Sequence, residues 1–430
     1  MDSKERKQII DLINKEVIPA IGCTEPIAVA LAATKAREIL GNIPESITVL
    51  LSPNVLKNAM GVGIPGTKMI GLPIAIALGV LAGKSEYQLE VLKDITPENI
   101  EKGKQLIEEK RINIELKENI SEKLYIEVIT KYKNDTAKVI TAGEHTQFVY
   151  VTKNDTILLN KQLSEKKQES KEETVALTFA KIHQFAMESP LEEIRFILNT
   201  ATLNKAAAEQ SFSEQYGHQL GSILAGDKNK IMMGNNLYSA ILSYTSAACD
   251  ARMAGANIAV MTNSGSGNQG ITATIPVVIY AEQNNKSEEE LIRALTLSHL
   301  TVIYIKQYLG RLSALCGCVV AATGSSCGMT YLMGGNYQQI IYAVKNMIAN
   351  ITGMICDGAK PSCSLKIATG VSTAFLSSLL AKEDKYVTSV EGIIDDDVDK
   401  CIQNLARIGN NGMAETDKLV LEIMTNKKNV

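Results

Sequence analysis

The 430-residue chain lacks tryptophan, has only four histidines and carries little excess charge. Hydrophobic residues make up 45% of the sequence and charged residues 21%, and the formal net charge is −3. This composition is typical of a globular protein and excludes a disordered chain or one continuous coiled coil. Because a net charge near zero offers no basic field for nucleic acid, we expect no nucleic-acid partner.

The sequence also lacks an apolar run of the length that a membrane span requires. Its longest such run covers residues 69–83 and contains Pro73, whereas a spanning helix needs about 20 apolar residues. Residues 1–17 are charged, with apolar residues at helical spacing, and they lack the apolar core of a signal peptide. We therefore expect a buried helix within residues 69–83, no membrane partner and a cytoplasmic protein.

Three zones differ in their pattern. Residues 1–85 indicate helices and one strand at 46–52, followed by a Gly/Pro-containing loop over 54–67. Residues 86–171 indicate a helix capped by Thr96 and then several alternating strands, which together predict a small α+β lobe. Residues 172–430 are rich in small and aliphatic residues and indicate further helices, after a charged linker over 161–174.

These zones predict an α+β fold that is mainly helical. We expect residues 1–85 and 172–430 to form one helical domain with a buried core. The α+β lobe of residues 86–171, a helix on an antiparallel sheet, is then an insertion into that domain. No repeat of fixed period is present in the sequence.

Cysteines are unevenly distributed along the chain. Five of the eight fall between residues 316 and 363, namely Cys316, Cys318, Cys327, Cys356 and Cys363. The absence of a CxxC pair and of histidine from this cluster disfavours structural zinc. Widely spaced thiols suit an iron–sulfur cluster with one open iron, held by Cys356, Cys363 and either Cys316 or Cys318. The alternative is a set of buried thiols in a core of small residues.

Cys23 stands alone in the segment IGCTEP, directly before an apolar helix. Thr24 is the expected N-cap and Pro26 lies in the first turn. A thiol at the start of a helix lies in the positive end of the helix dipole, which favours the thiolate. Cys23 is therefore a candidate nucleophile or general base, and the alternative is an ordinary structural cysteine.

The segment TNSGSGNQG, residues 262–270, matches the pattern GxGxxG. A dinucleotide-binding fold is not expected, because no second strand ending in an acidic residue follows at the required distance. We interpret the segment as a Gly/Ser/Asn turn whose backbone N–H groups can hold an anion such as a carboxylate, or as a tight turn between helices. The four histidines are scattered, and only His145 lies in a polar, loop-like segment.

Five motifs, in this order, resemble the L-cysteine desulfidase family of iron–sulfur β-eliminating lyases, which is related to the iron–sulfur L-serine dehydratases. They are GCTEP, SPNVLKNAMGVGIPGT, TNSGSGNQG, RLSALCGC and GMICDGAKPSC. The resemblance spans nearly the whole chain and is weakest in residues 86–171. It implies a [4Fe–4S] cluster held by three cysteines, with the fourth iron open to substrate.

The resemblance also implies which cysteines hold the cluster. Cys356 matches the cysteine of the G-L-T-C-D-P segment of the dehydratases, and Cys363 matches the cysteine that follows in the same loop, although the spacing is shorter here. The first ligand falls on Cys316 or Cys318. Cys316 is preferred, because its spacing to Cys356 is nearer to the dehydratase pattern.

Roles for the reacting groups follow from the same resemblance. Cys23 matches the cysteine that the desulfidases are thought to use as proton acceptor. The turn looks like the T-N-G-A turn of the dehydratases, so the expected contacts for the α-carboxylate of the substrate are Asn263, Ser264 and Gly265.

The activity implied is α,β-elimination of L-cysteine to sulfide, ammonia and pyruvate by a homodimeric enzyme with an iron–sulfur catalytic domain. The same elimination on L-serine or L-threonine is the nearest alternative. A non-catalytic iron–sulfur or amino-acid-binding protein is another, and a structural protein with buried thiols is a third. Elimination of L-serine or L-threonine predicts turnover of those substrates. A non-catalytic protein predicts binding without turnover, and a structural protein predicts that no iron is bound.

Overall fold

The computed structural model describes residues 1–118, 120, 122–161, 175–310 and 313–426. Helices predominate beside one six-stranded sheet and two strand pairs, which confirms the expected α+β, mainly helical class. The strands are β1 Pro19–Ile21, β2 Ser46–Leu51, β3 Gly63–Ile64, β4 Met69–Ile70, β5 Ile112–Leu116, β6 Tyr125–Tyr132, β7 Asp135–Ala142, β8 Phe148–Lys153, β9 Thr156–Asn160 and β10 Ala259–Met261. Apart from Lys161, the linker expected over 161–174 lies outside the described residues.

The α-helices account for most of the remaining chain. They are α1 Ser3–Glu16, α2 Thr24–Leu40, α3 Pro53–Ala59, α4 Leu72–Ala82, α5 Pro97–Glu108, α6 Phe179–Glu188, α7 Leu191–Ile194, α8 Leu198–Ser213, α9 Leu220–Ala225, α10 Asp227–Met233, α11 Leu237–Met253, α12 Gly267–Gln283, α13 Glu288–Leu309, α14 Gly317–Leu332, α15 Tyr337–Ile351, α16 Cys363–Lys382, α17 Val398–Arg407 and α18 Ala414–Thr425. Short 3₁₀ segments lie at Ser85–Glu90 and Arg195–Ile197, and a π-helical turn lies at Ile408–Gly412.

The sheet lobe is built on six strands in the order β5-β2-β6-β7-β8-β9. β2 is parallel to β5 and antiparallel to β6, and the remaining neighbours are antiparallel. Each of the two KNDT segments forms a two-residue hairpin turn, with Lys133 at φ 51° and Asn154 at φ 51°. Such positive φ angles match the twist of hairpin strands. The strands predicted from alternation are thereby confirmed.

The apolar helices α2 and α4 pack with this sheet. Ala33 and Ile76 share one buried core with Val49, Val128 and Val139 of the strands. The prediction that the helices of residues 1–85 belong to the helical domain is therefore wrong for α2 and α4. Because α4 is apolar all round, its sequence has no polar side that would indicate which lobe it packs against.

The loop predicted over residues 54–67 is only partly present. Pro53–Ala59 forms helix α3, with Ser52 at the N-cap and proline in its first turn. β3 and β4 then form a short hairpin. A helix of seven residues contains too few apolar positions for its periodicity to stand out from a Gly/Pro-containing segment.

The helical lobe surrounds the buried helix α14, which packs against α12, α13, α15 and α16. Glycine allows these helices to approach closely. A Cβ at Gly324 would lie 2.5 Å from the backbone oxygen of Ser298, and one at Gly328 would lie 2.8 Å from Cγ2 of Val277. Of the N-terminal elements, α1 joins this core through Ile9 and Ile13.

The antiparallel pair formed by β1 and β10 connects segments that are distant in sequence. Pro19 is opposite Met261, and Ile21 is opposite Ala259. This pairing places the turn that follows β10 beside the end of α1, where the N–H of Ser264 donates to the carbonyl oxygen of Glu16 at 2.9 Å.

One helix within the described residues, α16, is long and apolar enough by length and composition to cross a membrane, and 44% of its most apolar window is buried. It packs against α11, α14 and α15. Core helices of this kind pass the same test, so the feature is weak support for a membrane span. The expected buried helix within residues 69–83 is α4.

Candidate active site

A cavity of about 580 Å³ lies where the two lobes meet. The sheet lobe contributes Lys57, Lys123 and His145 to its wall, and the helical lobe contributes Arg252 and Lys306. Of the residues predicted from sequence, those that line the cavity are Cys23, Ser264, Gly265 and Cys356. Asn263, Cys316 and Cys363 are not part of its lining.

Three helices begin at this cavity. Their N-cap residues are Cys23 for α2, Ser266 for α12 and Cys316 for α14, and at each start the cap or its neighbour lines the wall. The first N–H groups of a helix lack partners within it and carry a partial positive charge. The wall also carries the cations Lys57, Lys123, Arg252 and Lys306 and the carboxylates Glu25, Glu122 and Glu144. Because the side chains carry both signs, it is the helix ends that favour an anionic group.

Cys23 is itself the N-cap of α2, so the prediction that Thr24 caps this helix is wrong. The thiol is buried, with a relative exposure of 2%. Burial raises the pKa of Cys23 to about 11, although the nearby guanidinium of Arg252 lowers it in part. Desolvation of the thiolate therefore outweighs the favourable position at the helix end, contrary to the expectation from sequence.

The turn after β10 has the geometry of a tight reversal. Ser264 has φ 49° and Gly265 has φ 80°, and the backbone N–H groups of Asn263 and Ser266 each donate to the other residue's carbonyl oxygen at 3.0 Å. Of the anion-holding turn expected here, Ser264, Gly265 and Ser266 face the cavity.

The side chain of Asn263 faces the protein interior. Its Nδ2 donates to Nδ1 of His299 at 3.0 Å and to the backbone oxygen of His299 at 3.1 Å. Nε2 of His299 lies 3.0 Å from Oγ1 of Thr274, which also accepts from Asn204 at 3.0 Å. Burial lowers the pKa of His299 to about 3, so the ring is neutral. Asn263 is thus placed to hold the turn, and its side-chain amide is not available to a ligand.

Two backbone segments bring the cysteines of the cluster together. Leu315 and Ile355 form an antiparallel bridge, and the N–H of Cys356 donates to the carbonyl oxygen of Ala314 at 2.7 Å. Cys363 follows one loop later at the start of α16. Besides burial, which raises the pKa of the Cys356 and Cys363 thiols, each is close enough to Cys316 for that thiol to raise it further.

Cys316 and Cys318 differ in their surroundings. The two sulfur atoms are 3.5 Å apart. In this contact the thiol of Cys316 donates to the sulfur of Cys318. The interaction between the two thiols lowers the pKa of Cys316, whereas the same interaction and burial raise the pKa of Cys318. Cys318 also lies 3.3 Å from the backbone oxygen of Lys366, to which its thiol donates. A thiolate is the form that binds metals, so this arrangement favours Cys316 as the ligand.

The loop between Cys356 and Cys363 packs against α3. Gly358 has φ 89°, and a Cβ at this position would lie 2.1 Å from the backbone oxygen of Lys57. Asp357 forms ion pairs with Lys360 and Lys366 in the same region. The motifs SPNVLKNAMGVGIPGT and GMICDGAKPSC, which are some 300 residues apart in the chain, are therefore in contact.

Within the part of the chain that the structure describes, no three His, Cys, Asp or Glu side chains are close enough to hold a single metal ion. An iron–sulfur cluster is larger than one ion, so its ligands stand farther apart. The buried thiol of Cys316 and the partly buried thiols of Cys356 and Cys363, with Lys366 nearby, supply the donor type that such a cluster uses. The residues present therefore fit this group.

Arg252 and Gln269 line the cavity but were not among the residues singled out from sequence. Arg252 donates from Nη2 to the carbonyl oxygen of Gly22 at 3.2 Å and from Nη1 to Oδ1 of Asn268 at 3.1 Å. The feature that could have identified Arg252 from the sequence is the presence of an arginine in TSAACDARMAGA, a segment rich in small and apolar residues. A buried cation in such a segment calls for a partner of opposite charge.

Comparison with known proteins adds family information to this geometry. The sequence pattern of the family described as serine dehydratase alpha chain matches residues 86–422. A UPF0597 protein of Bacteroides fragilis is 69% identical over 427 residues, covering 99% of this chain and 100% of the relative. Similar proteins in Porphyromonas gingivalis and Oleidesulfovibrio alaskensis, also described as UPF0597 proteins, are 54% and 45% identical, covering 99% or more of both chains.

These matches confirm the broader part of the resemblance drawn from the five motifs, which is the relation to iron–sulfur serine dehydratases. They do not extend to the narrower assignment as a cysteine desulfidase. The family implies an enzyme of the lyase type. The chain belongs to the serine dehydratase alpha-chain family and is one of its UPF0597 members.

Proposed function

We propose that the protein catalyses α,β-elimination of L-cysteine to sulfide, ammonia and pyruvate. The observation that carries this proposal is the cavity between the lobes, which is lined by Cys23, the turn at Ser264–Ser266 and Cys356 of the cysteine cluster. A proton acceptor, an anion-holding turn and a thiol-rich metal site are the three components that such an elimination requires. Their convergence from three distant segments supports catalysis over a purely structural role for the thiols.

The cofactor we propose is a [4Fe–4S] cluster held by Cys316, Cys356 and Cys363. When bound, such a cluster supplies an open iron that acts as a Lewis acid on the leaving group of the substrate. Cys316 is buried and Cys356 and Cys363 are partly buried. The pKa of Cys316 is lowered, chiefly by Cys318, whereas burial raises the pKa of Cys356 and Lys366 offsets this rise only in part.

The remaining steps belong to side chains of this chain. The N–H groups of Asn263, Ser264 and Ser266 already donate to backbone oxygens. The N–H of Gly265 and the first N–H groups of α12 therefore hold the α-carboxylate. Cys23 removes the α-proton as a thiolate, and the guanidinium of Arg252 stabilises that charge. Loss of the proton and of the β-thiol gives sulfide and an aminoacrylate, which becomes pyruvate and ammonia by reaction with water.

The second candidate is the same elimination on L-serine or L-threonine, with water as the leaving group. It is favoured by the description of the family as serine dehydratase alpha chain. A non-catalytic iron–sulfur or amino-acid-binding protein would use the same cavity without turnover. For any of these activities we propose a cytoplasmic protein with a small amino-acid ligand and with neither a nucleic-acid nor a membrane partner.

The first test is the iron and acid-labile sulfide content of the full chain purified without oxygen. We expect about four of each per chain, with iron lost in C316S, C356S and C363S variants. C318S and C327S are matched controls, because Cys318 donates to Lys366 and Cys327 lies within α14 with its thiol on the backbone oxygen of Thr323. Iron that persists in C316S and disappears in C318S would reverse the ligand assignment, and iron absent from the wild type would refute the cofactor.

Substrate choice is tested on the iron-loaded protein. Sulfide release from L-cysteine that is at least tenfold faster, as kcat/KM, than pyruvate formation from L-serine would support the desulfidase reaction. The reverse preference would establish the dehydratase alternative. No turnover of either substrate by protein with a full complement of iron would favour the non-catalytic alternative.

A further inference from the structure

Arg252 is a buried cation without an ionic partner. Its relative exposure is 6%, and no ion pair joins it to a carboxylate anywhere in the described ranges. Asn268 and Gly22 accept from its two terminal nitrogens, and the buried Nε–H has no acceptor. A guanidinium has five N–H groups, so three remain after these two hydrogen bonds. An uncompensated buried charge of this kind is costly unless a ligand completes it.

Whereas Arg252 has a buried donor without an acceptor, Gln269 has a buried acceptor without a donor. Its relative exposure is 3%, and its side-chain oxygen Oε1 is buried without a donor. The side chain lies against Gly317 at the start of α14, where a Cβ would stand 3.1 Å from Cγ of Gln269. Gln269 and Arg252 both line the cavity, beside the first turn of α12. This wall of the cavity therefore presents unused donors and an unused acceptor.

We infer that Arg252 and Gln269 form a subsite for the two charged groups of a small α-amino acid. The guanidinium and the N-terminal turn of α12 bind the carboxylate, and Oε1 of Gln269 accepts a hydrogen bond from the ammonium group. Such charge-assisted hydrogen bonds are about twice as strong as neutral ones, and guanidinium groups often bind carboxylates through two parallel bonds. The inference rests on the proposed function for its substrate class and adds the residues that recognise it.

The position of Arg252 fits this role in the proposed reaction. Its guanidinium is close enough to Cys23 to lower the pKa of that thiol. A carboxylate on Arg252 therefore brings the neighbouring α-carbon toward the proposed base. Gly267 is also explained, because a Cβ there would lie 2.1 Å from Nε of Arg252 and displace the guanidinium.

Calorimetric titration of the full chain, purified without oxygen, tests the subsite with three probes. L-Alanine carries both charged groups and no leaving group, propionate carries only the carboxylate, and L-alaninamide lacks the carboxylate. We expect the wild type to bind L-alanine. R252Q should weaken both L-alanine and propionate about 10- to 100-fold, because a charge-assisted hydrogen bond is lost. Q269L should weaken L-alanine by a similar factor and leave propionate within about twofold.

R37Q is the matched control. Arg37 also has a buried Nε without a partner and donates from Nη2 to a backbone oxygen, that of Gly83 at 2.6 Å, but it lies in α2 away from the cavity lining. Its affinity for all three probes should equal that of the wild type. Unchanged L-alanine affinity in folded R252Q would overturn the inference, as would a wild type that binds L-alanine no better than L-alaninamide.

Two further outcomes keep the test decisive. If R252Q fails to fold, as shown by its circular dichroism, Q269L alone decides between support and refutation through the difference between L-alanine and propionate. Arg252-dependent binding of L-alanine without any elimination would support the subsite and refute the proposed reaction. Elimination of L-cysteine with the same KM in R252Q and wild type would support the proposed reaction and refute the subsite.

Discussion

At Cys23, burial and charge act in opposite directions on one thiol. The helix start and Arg252 favour the thiolate, yet burial raises the pKa to about 11. A group that must be ionised to accept a proton is then only slightly active near neutral pH. These opposing effects explain both why Cys23 is a candidate base and why the rate of the reaction should depend strongly on pH.

We expect the rate of elimination to rise with pH if Cys23 is the base. Below its pKa the thiolate fraction increases about tenfold per pH unit, so log(kcat/KM) should rise with a slope of about one from pH 7 toward pH 10. C23A should lose about 10²- to 10⁴-fold in kcat. Initial rates of sulfide release from L-cysteine measure both effects.

C327S is the control for this measurement, because Cys327 is a buried cysteine of α14 outside the cavity lining. Its rate and pH profile should match the wild type. A profile that is flat between pH 7 and pH 10 would show that another group accepts the proton.

Between β10 and α12, a buried polar network fixes the shape of a four-residue turn. Asn263 donates to His299, whose ring is neutral, and Thr274 connects that ring to Asn204. Asn204 in turn accepts from the N–H of Met261 at 2.8 Å and so holds the end of β10. The network keeps Ser264 and Gly265 facing the cavity although none of its own side chains lines it.

We expect N263A to lower the free energy of unfolding by about 1–3 kcal/mol, because the buried Nδ1 of His299 loses its donor. N284A provides the comparison at the other end of α12, where an exposed amide donates to the backbone oxygen of Tyr280. That variant should stay within about 0.5 kcal/mol of the wild type. Urea denaturation at neutral pH measures both, and equal losses would mean that the network does not stabilise the turn.

Two lobes with separate buried cores meet around one cavity, and their contact depends on a few long-range pairings. β1 pairs with β10, the loop at Gly358 packs on α3, and α18 reaches the sheet lobe through the ion pair of Asp417 with the buried Lys57. Because Lys57 also lines the cavity, the site depends on the correct docking of both lobes.

Homodimerisation is expected from the family resemblance and stays a prediction. Light scattering coupled to size exclusion should give twice the 46.6 kDa of one chain. L376E then reports whether the exposed leucines of α16 contribute to the interface, since Leu376, Leu379 and Leu380 are 44–51% exposed. V390E is its control, because Val390 is 90% exposed in a separate segment. A wild-type mass of one chain would refute the dimer.

Local sequence patterns predict a large part of the secondary structure and the cysteine cluster of this protein. Alternation predicted strands β2 and β5–β9, Thr96 predicted the start of α5, and the positions of the cysteines predicted a thiol cluster near the end of the chain. Each of these signals lies within a few residues of the chain, where periodicity, capping and turn preferences act. Ser264 and Gly265, which the motif singled out, line the cavity, and their contact with a substrate carboxylate stays a prediction.

Tertiary structure alone decided the rest. No local signal assigns α2 and α4 to the sheet lobe, pairs β1 with β10, or places Arg252 and Gln269 beside Cys23, since these contacts join segments up to about 250 residues apart. The pKa of Cys23 is raised, although the sequence predicted a lowered one, for the same reason. A helix end is visible in the sequence, whereas burial depends on what packs over the thiol. Chemistry that arises from desolvation and from distant contacts becomes apparent only in the folded chain.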